Sequence, residues 1–245
     1  MKRALYFFLF LFFPCMLSAQ DYTLVWSDEF DYNGLPDTDY WNYEVGYVRN
    51  NELQYYTEAR IENAHVENGY LTIEVKKDHW SNHTYTSASI ITKGKKEFIY
   101  GRFEIRAKIN IQEGSWPAFW SLGTNIGEVG WPACGEVDIM EYYRGKTLMN
   151  VFYGNEWNTS TDKVDSTWAQ EFHVWRMDWD ENSIKLYQDD VLFTTEDITN
   201  NELFHKPIYL IVNQAIGGTS GGSIENTQCP VKLIVDYVRV YKKIP

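Results

Sequence analysis

Along the chain, apolar and polar residues alternate with a period of two far more often than they recur every three or four positions. In 65–77, Leu71, Ile73 and Val75 alternate with polar residues after the dipeptide Asn68-Gly69, the pattern of a hairpin and its turn. Residues 98–109 alternate again: Phe103, Ile105 and Ala107 point one way, Arg102, Glu104, Arg106 and Lys108 the other. The same reading predicts strands over 173–180, 183–188, 191–196, 207–216 and 232–243, with turns at 180–183 and 188–190. No stretch after residue 20 holds a 3.6-residue apolar period long enough for a substantial helix. With no internal repeat, low-complexity tract or linker, the expected fold class is all-β: one domain of two antiparallel sheets packed as a sandwich, or jelly roll.

Composition narrows the function. Of 245 residues, 44% are hydrophobic and 17% aromatic, enough for a sizeable core and too apolar for intrinsic disorder. The formal charge is −12, which repels phosphate backbones and anionic lipids, so no nucleic-acid partner is expected. Residues 1–19 read as a secretory signal: Lys2 and Arg3, an apolar run from Leu5 to Phe13, then Ser18 and Ala19 before Gln20. That run is too short to span a bilayer, which takes about 20 residues. The expectation is an exported, monomeric single domain over 20–245 with no membrane span. Cys134 and Cys229 then remain, free to bridge in an oxidising compartment, though their spacing does not show that they meet. His79 and His83 stand at i,i+4, but in the polar stretch DHWSNHTYT, which reads as a surface loop rather than a metal site.

The most informative segment is GEVDIMEYY, 135–143. Glu136 and Asp138 are two apart and share one face of a regular strand, with Val137 and Ile139 on the other. Strict alternation sends Glu141 to the core face, where an unpaired carboxylate is costly. A β-bulge around Met140 returns it to the face of Glu136 and Asp138. Two carboxyls so placed suit double-displacement glycoside hydrolysis, one as nucleophile and one as acid/base, with a third between them to hydrogen-bond the nucleophile. The plainer reading of these residues is an exposed acidic strand edge.

Nearby aromatics favour the chemical reading. Trp116, Phe119, Trp120 and Trp131 are many large rings for one short stretch of core, and sugar rings present apolar C–H faces that sit well on indoles. Phe119 reads as a core residue; Trp131 fits either place. Arg106, on the polar face of its strand, either reaches a cleft or makes a surface salt bridge.

These residues resemble glycoside hydrolase family 16, and within it the laminarinase-like β-glucanases. The carriers are Glu136, Asp138 and Glu141 in EVDIME, with LVWSDEF, NNELQYYT, YGRFEIRAKI, WPAFW, FHVWRMDW, NQAIGG and VDYVRVY between about Leu24 and Tyr241. The resemblance implies Glu136 as nucleophile, Glu141 as acid/base and Asp138 as helper, at the floor of an open groove suited to cutting within a chain. It places Arg106, Trp116 and Trp120 at the central sugar positions, and Asn51, Glu52, Tyr142 and Asn213 near the cleft. It implies no cofactor for catalysis, and a structural Ca²⁺ at Glu29, Gly69 and Asp236, whose oxygens suit that ion. Two departures bear on sugar and linkage: Tyr142 stands where many relatives have His, and the loop TSGGSIENTQCP lacks a Trp common among β-1,3-glucan-cleaving members. The expected substrate is β-1,3-glucan or mixed-linkage β-glucan. The alternative is β-1,4-galactosyl cleavage in poly-N-acetyllactosamine chains of mucins or keratan.

The rivals are a transglycosylase, or a non-catalytic sugar-binding jelly roll that would not need both glutamates. GTSGG (218–222) satisfies the G-x-S-x-G pattern, but no His follows the Ser, against a serine hydrolase.

Overall fold

A computed structural model of the protein describes residues 22–154 and 156–244; the expected signal at 1–19 lies outside the described residues. Two large antiparallel sheets dominate. The first runs in spatial order Val191–Asp197, Ser183–Gln188, His173–Trp179, Gly101–Ile109, Val231–Lys243, Tyr70–Val75 and Ala64–Glu67, with Tyr22–Asp28 also paired to Val231–Lys243. The second runs Glu156–Lys163, Lys146–Tyr153, Glu136–Tyr143, Ser115–Gly123, Ile208–Ile216, Ser89–Ile91 and Asn42–Tyr43. Gln54–Tyr56 and Tyr85–Ser87 form a separate parallel pair. The expected jelly-roll sandwich is what the chain builds.

Alternation explains the packing. In Gly101–Ile109, Phe103, Ile105, Ala107 and Ile109 are buried, while Arg102, Glu104, Arg106 and Lys108 stay half-exposed on the outer face. Val231, Leu233 and Val235 do the same on the neighbouring strand; a register shift at Asp236 then restores Val238 and Val240 to the inside. These side chains meet Phe119, Ile139, Met140 and Val212 of the second sheet in one core. At 25 cal/mol per Å², burial of such side chains is worth roughly 1.5–3 kcal/mol each.

The central strands of the second sheet behave differently. All nine residues of Ser115–Gly123 and all nine of Ile208–Ile216 are buried, so one face of each must be covered by something other than the first sheet. Phe119 goes to the sandwich core, as expected. Trp116, Ala118, Trp120 and Leu122 take the opposite face, at two-residue intervals, and line a cleft. That division accounts for the excess of rings in WPAFW.

Among the described residues helix is limited to single turns, Ile126–Val129 and Gly218–Gly221, and short 3₁₀ segments. Among the described residues no helix is long and apolar enough to cross a membrane. Cys134 and Cys229 are both free thiols, the first buried.

Candidate active site

The strand Glu136–Tyr143 carries a one-residue irregularity at the predicted place. Against Ser115–Gly123, Asp138 pairs with Trp120 but Met140 with Phe119, so one residue is extra. Against Lys146–Tyr153, Asp138 pairs with Asn150 and Glu141 with Leu148, again one too many on the acidic strand. Ile139 and Met140 absorb the excess, both fully buried, which anchors the bulge with two apolar side chains. Val137, Ile139, Met140 and Tyr142 therefore enter the core, and Glu136, Asp138 and Glu141 all line the cleft.

The cleft holds about 400 Å³. Asp138 is 2% and Glu141 9% exposed, so both carboxyls depend on protein partners. The Asn150 amide donates to Asp138 Oδ2 at 2.8 Å and to Glu141 Oε2 at 2.6 Å, tying the two together. Trp116 Nε1 donates to Glu141 Oε1 at 2.8 Å, and Trp131 Nε1 to Glu136 Oε2 at 2.7 Å. Burial first, then the Glu141 charge, pushes the Glu136 carboxyl up to about 7. Burial pushes Glu141 up as well. Asp138, enclosed and flanked by both glutamates, goes well above the carboxylate range. Like charges at low dielectric share protons, so the three titrate as one set and do not all ionise at neutral pH.

The wall opposite the bulged strand is a hydrogen-bonded chain. Trp120 Nε1 donates to Asn213 Oδ1 at 2.8 Å, and the Asn213 amide donates to the Tyr56 hydroxyl at 3.0 Å. The Tyr56 hydroxyl in turn donates to Glu52 Oε2 at 2.9 Å, which also accepts from Gln54 at 2.7 Å. Glu52 and Asn213 thus line the cleft as expected. Arg49 is a cleft residue the sequence reading missed: its guanidinium lies 4.8 Å from the Trp120 ring centroid and pairs with Glu44, which accepts from Ser89 Oγ at 2.6 Å. Its positive charge draws Glu136 down against the larger raising effects, whereas Glu52 pushes Glu141 up. Asn150 was missed too. A single amide within the apolar run Leu148 to Phe152 carries no periodic signal; only its opposition to Asp138 across a strand pair gives it away.

Three expectations need correction. Arg106 belongs to the first sheet and sits on its outer face, where it pairs with Asp236 and lies 4.7 Å from the Phe172 ring centroid; it does not line the cleft. Tyr142 is 3% exposed and faces the core, its hydroxyl donating to Ile111 O at 2.8 Å, because the bulge that turns Glu141 outward turns its neighbour inward. Asn51 is exposed at a left-handed backbone position, φ 53°, and its neighbours Asn50 and Glu52 line the cleft instead. The side chains of the expected calcium donors Glu29 and Asp236 are engaged by arginines in this arrangement. Glu29 gives both oxygens to Arg239, at 2.9 and 2.7 Å, and Asp236 is held by Arg106, while Gly69 is the turn residue at φ 81°. Among the described residues no group of three or more His, Cys, Asp or Glu is placed to hold a metal.

Buried acids cost stability. A carboxyl whose folded pKa exceeds its unfolded value binds its proton more tightly when folded, so stability falls as pH rises from the unfolded value toward the folded one. For Glu136 that window runs from 4.5 to about 7. The thermal midpoint is expected to fall across it, and Glu136→Gln to flatten the fall and be the more heat-stable protein at pH 8. Calorimetry at pH 5 and pH 8 checks both; a parallel fall in the variant refutes the assignment.

A β-sandwich with two glutamates and an aspartate converging in a cleft walled by indoles defines a glycoside hydrolase that acts within a chain. Residues 51–239 match the family "Glycosyl hydrolases family 16", and the chain belongs to that family, on its laminarinase-like side. It is 39% identical to the "Beta-glucanase" of Rhodothermus marinus over 99% of this chain and 95% of that one. The solved laminarinase of Rhodothermus marinus superposes with a TM-score of 0.85 at 40% identity, covering 92% of this chain and 99% of the other. The catalytic domain of an endo-1,3-beta-glucanase (laminarinase) from Thermotoga petrophila gives 0.83 at 37%, covering 93% and 100%.

Proposed function

We propose that this chain is an exported, endo-acting β-glucan hydrolase that works with retention of configuration, on β-1,3-glucan or mixed-linkage β-glucan, as a single catalytic domain over 20–245. The observation that carries the reading is the bulge at Ile139–Met140, which sets Glu136 and Glu141 on one face with Asp138 between them. The names borne by the similar proteins support the glucan, and the net charge of −12 suits a neutral polysaccharide.

The roles follow the family resemblance, Glu136 as nucleophile and Glu141 as acid/base. The Trp131 N–H and the Arg49 cation favour the Glu136 anion, while burial favours the Glu141 proton against the donors Trp116 and Asn150. Glu136 attacks the anomeric carbon while Glu141 gives its proton to the departing glycosidic oxygen, leaving a glycosyl ester on Glu136. Glu141, now ionised, takes a proton from water. That water attacks the same carbon from the opposite side and frees Glu136, so two inversions restore the starting configuration. Asp138 hydrogen-bonds both glutamates, and Asn150 keeps Asp138 and Glu141 in register.

Incubation with laminarin, barley mixed-linkage glucan, agarose and mucin glycans tests the substrate. The expected result is a rapid viscosity drop on a glucan, with the β-anomer of the new reducing end appearing first by proton NMR. Initial α-anomer overturns retention; cleavage confined to agarose or mucin glycans overturns the glucan.

A further inference from the structure

Among the described residues that line the cleft, Glu44, Glu52, Glu136, Asp138 and Glu141 are acids and Arg49 alone is a base. A nucleophile there must shed its proton beside other carboxyls, which like-charge repulsion opposes. The position of the lone cation therefore matters to the reaction.

Arg49 is held from several directions. Its guanidinium rests against the Trp120 ring and pairs with Glu44. Ser89 clamps Glu44 twice: Ser89 Oγ donates to Glu44 Oε2 at 2.6 Å, and Ser89 O accepts from the Glu44 N–H at 3.0 Å. The backbone is fixed as well. Arg49 O accepts from the Glu52 N–H at 3.1 Å, across a turn in which Asn50 and Asn51 are both left-handed, φ 56° and 53°. The Thr219 N–H closes on Asn50 O at 2.9 Å, and Gly218 comes so near that a Cβ there would meet Asn50 O at 2.8 Å.

The ion pair does not use up the charge. Where Arg239 meets Glu29, two parallel bonds match fork to fork. Arg49 gives Glu44 one end only; its Nη1 is buried and has no hydrogen-bond partner among the described residues. Burial works against the guanidinium charge, but Glu44, Tyr56 and Glu52 outweigh it and hold Arg49 ionised.

We propose that Arg49 is a positioning residue for the reaction: tethered by Glu44 against Trp120, it supplies the positive charge that keeps the Glu136 carboxylate ready to attack. The assignment rests on the proposed role of Glu136 as nucleophile. Asp138 and Glu141 face Glu136 from its own strand, Tyr209 from Ile208–Ile216, and Trp131 and Cys134 from the segment before it. Glu44, Arg49 and Glu52 face the same cleft from 44–52. Lys93 stands against the Tyr209 ring, 5.3 Å from its centroid, and does not line the cleft. Glu44 tethers the cation and also offsets it. Removing either member of the pair should therefore move the ionisation of Glu136 in opposite directions, which mere structural support would not do.

The test uses the intact protein with Arg49→Met, Arg49→Lys and Glu44→Gln. It reads the acid limb of kcat/KM against pH on laminarin and barley mixed-linkage glucan, the limb that reports the ionisation readying Glu136. In Arg49→Met that limb is expected to rise by about one pH unit, a roughly 10-fold loss on the acid side that shrinks as pH climbs. Arg49→Lys keeps the charge and should restore most of the shift, and Glu44→Gln should lower the limb. Calorimetric titration with laminaritetraose, in Glu136→Gln with and without Arg49→Met, reads binding apart from attack; the two affinities should agree within about 3-fold. An unmoved limb in Arg49→Met overturns the proposal, as do limbs moved the same way by Arg49→Met and Glu44→Gln. A binding loss of about 10-fold or more in the inactive background would make Arg49 a sugar contact instead. If the parent cleaves neither glucan, or Glu136→Gln turns over normally, the proposed function falls, and the role given to Arg49 falls with it.

Discussion

Glu136→Gln is expected to lower kcat by about 10⁴-fold or more, the scale seen when the attacking group of a covalent mechanism is removed. The amide cannot attack the anomeric carbon, but its oxygen can still accept from Trp131 Nε1, which donates to the carboxylate at 2.7 Å. Cleft shape is kept, and a charge-burial penalty is removed, so the variant folds and binds oligosaccharide with affinity within about 3-fold of the parent. Stopped assays for turnover and calorimetric titration for binding separate the two. Loss of binding along with turnover would mean that Glu136 is a structural acid, and ordinary turnover would remove it from the mechanism altogether.

Glu141→Ala tests the other half. With no acid to protonate the leaving oxygen, hydrolysis of polysaccharide is expected to slow by roughly 10²–10⁴-fold. An aryl glycoside whose leaving group needs no proton should still form the ester on Glu136. Sodium azide should then restore turnover by taking the place of the activated water, and the product should be the β-glycosyl azide. The alkaline limb of the pH profile, which in the parent reports loss of the Glu141 proton, should vanish. An α-azide, or an unchanged profile, contradicts the assignment.

Strands with one buried face were the readable part of this chain. Gly101–Ile109, His173–Trp179 and Ser183–Gln188 alternate cleanly because each has one side in the core and one in water. Lys146–Tyr153 escaped notice because five consecutive residues, Thr147 to Val151, are buried and the alternation is erased. Glu156–Lys163 escaped because it is polar apart from Trp157, as an edge strand tends to be. Arg106 shows a different limit: alternation told that it faces outward, but a sandwich has two outer faces, and the pairing with His173–Trp179 and Val231–Lys243 puts it on the one without the cleft. Tyr142 was within reach. Once an extra residue is allowed near Met140, the same counting that turns Glu141 outward must turn Tyr142 inward. Asn150 and Arg49 were beyond reach, since each acts through a partner across a strand pair or a loop, and local pattern says nothing about such meetings.

The extra residue between Asp138 and Glu141 works as a phase offset in a repeating signal. Upstream of it odd positions point inward, and downstream of it even ones do. Deleting one residue there would exchange Glu141 and Tyr142 in a single stroke, driving a charge into the hydrocarbon interior and a phenol into the catalytic floor. Point substitutions around the acids can adjust this enzyme by degrees. A change in residue count on that strand cannot, so insertions and deletions available to the loops are closed to it.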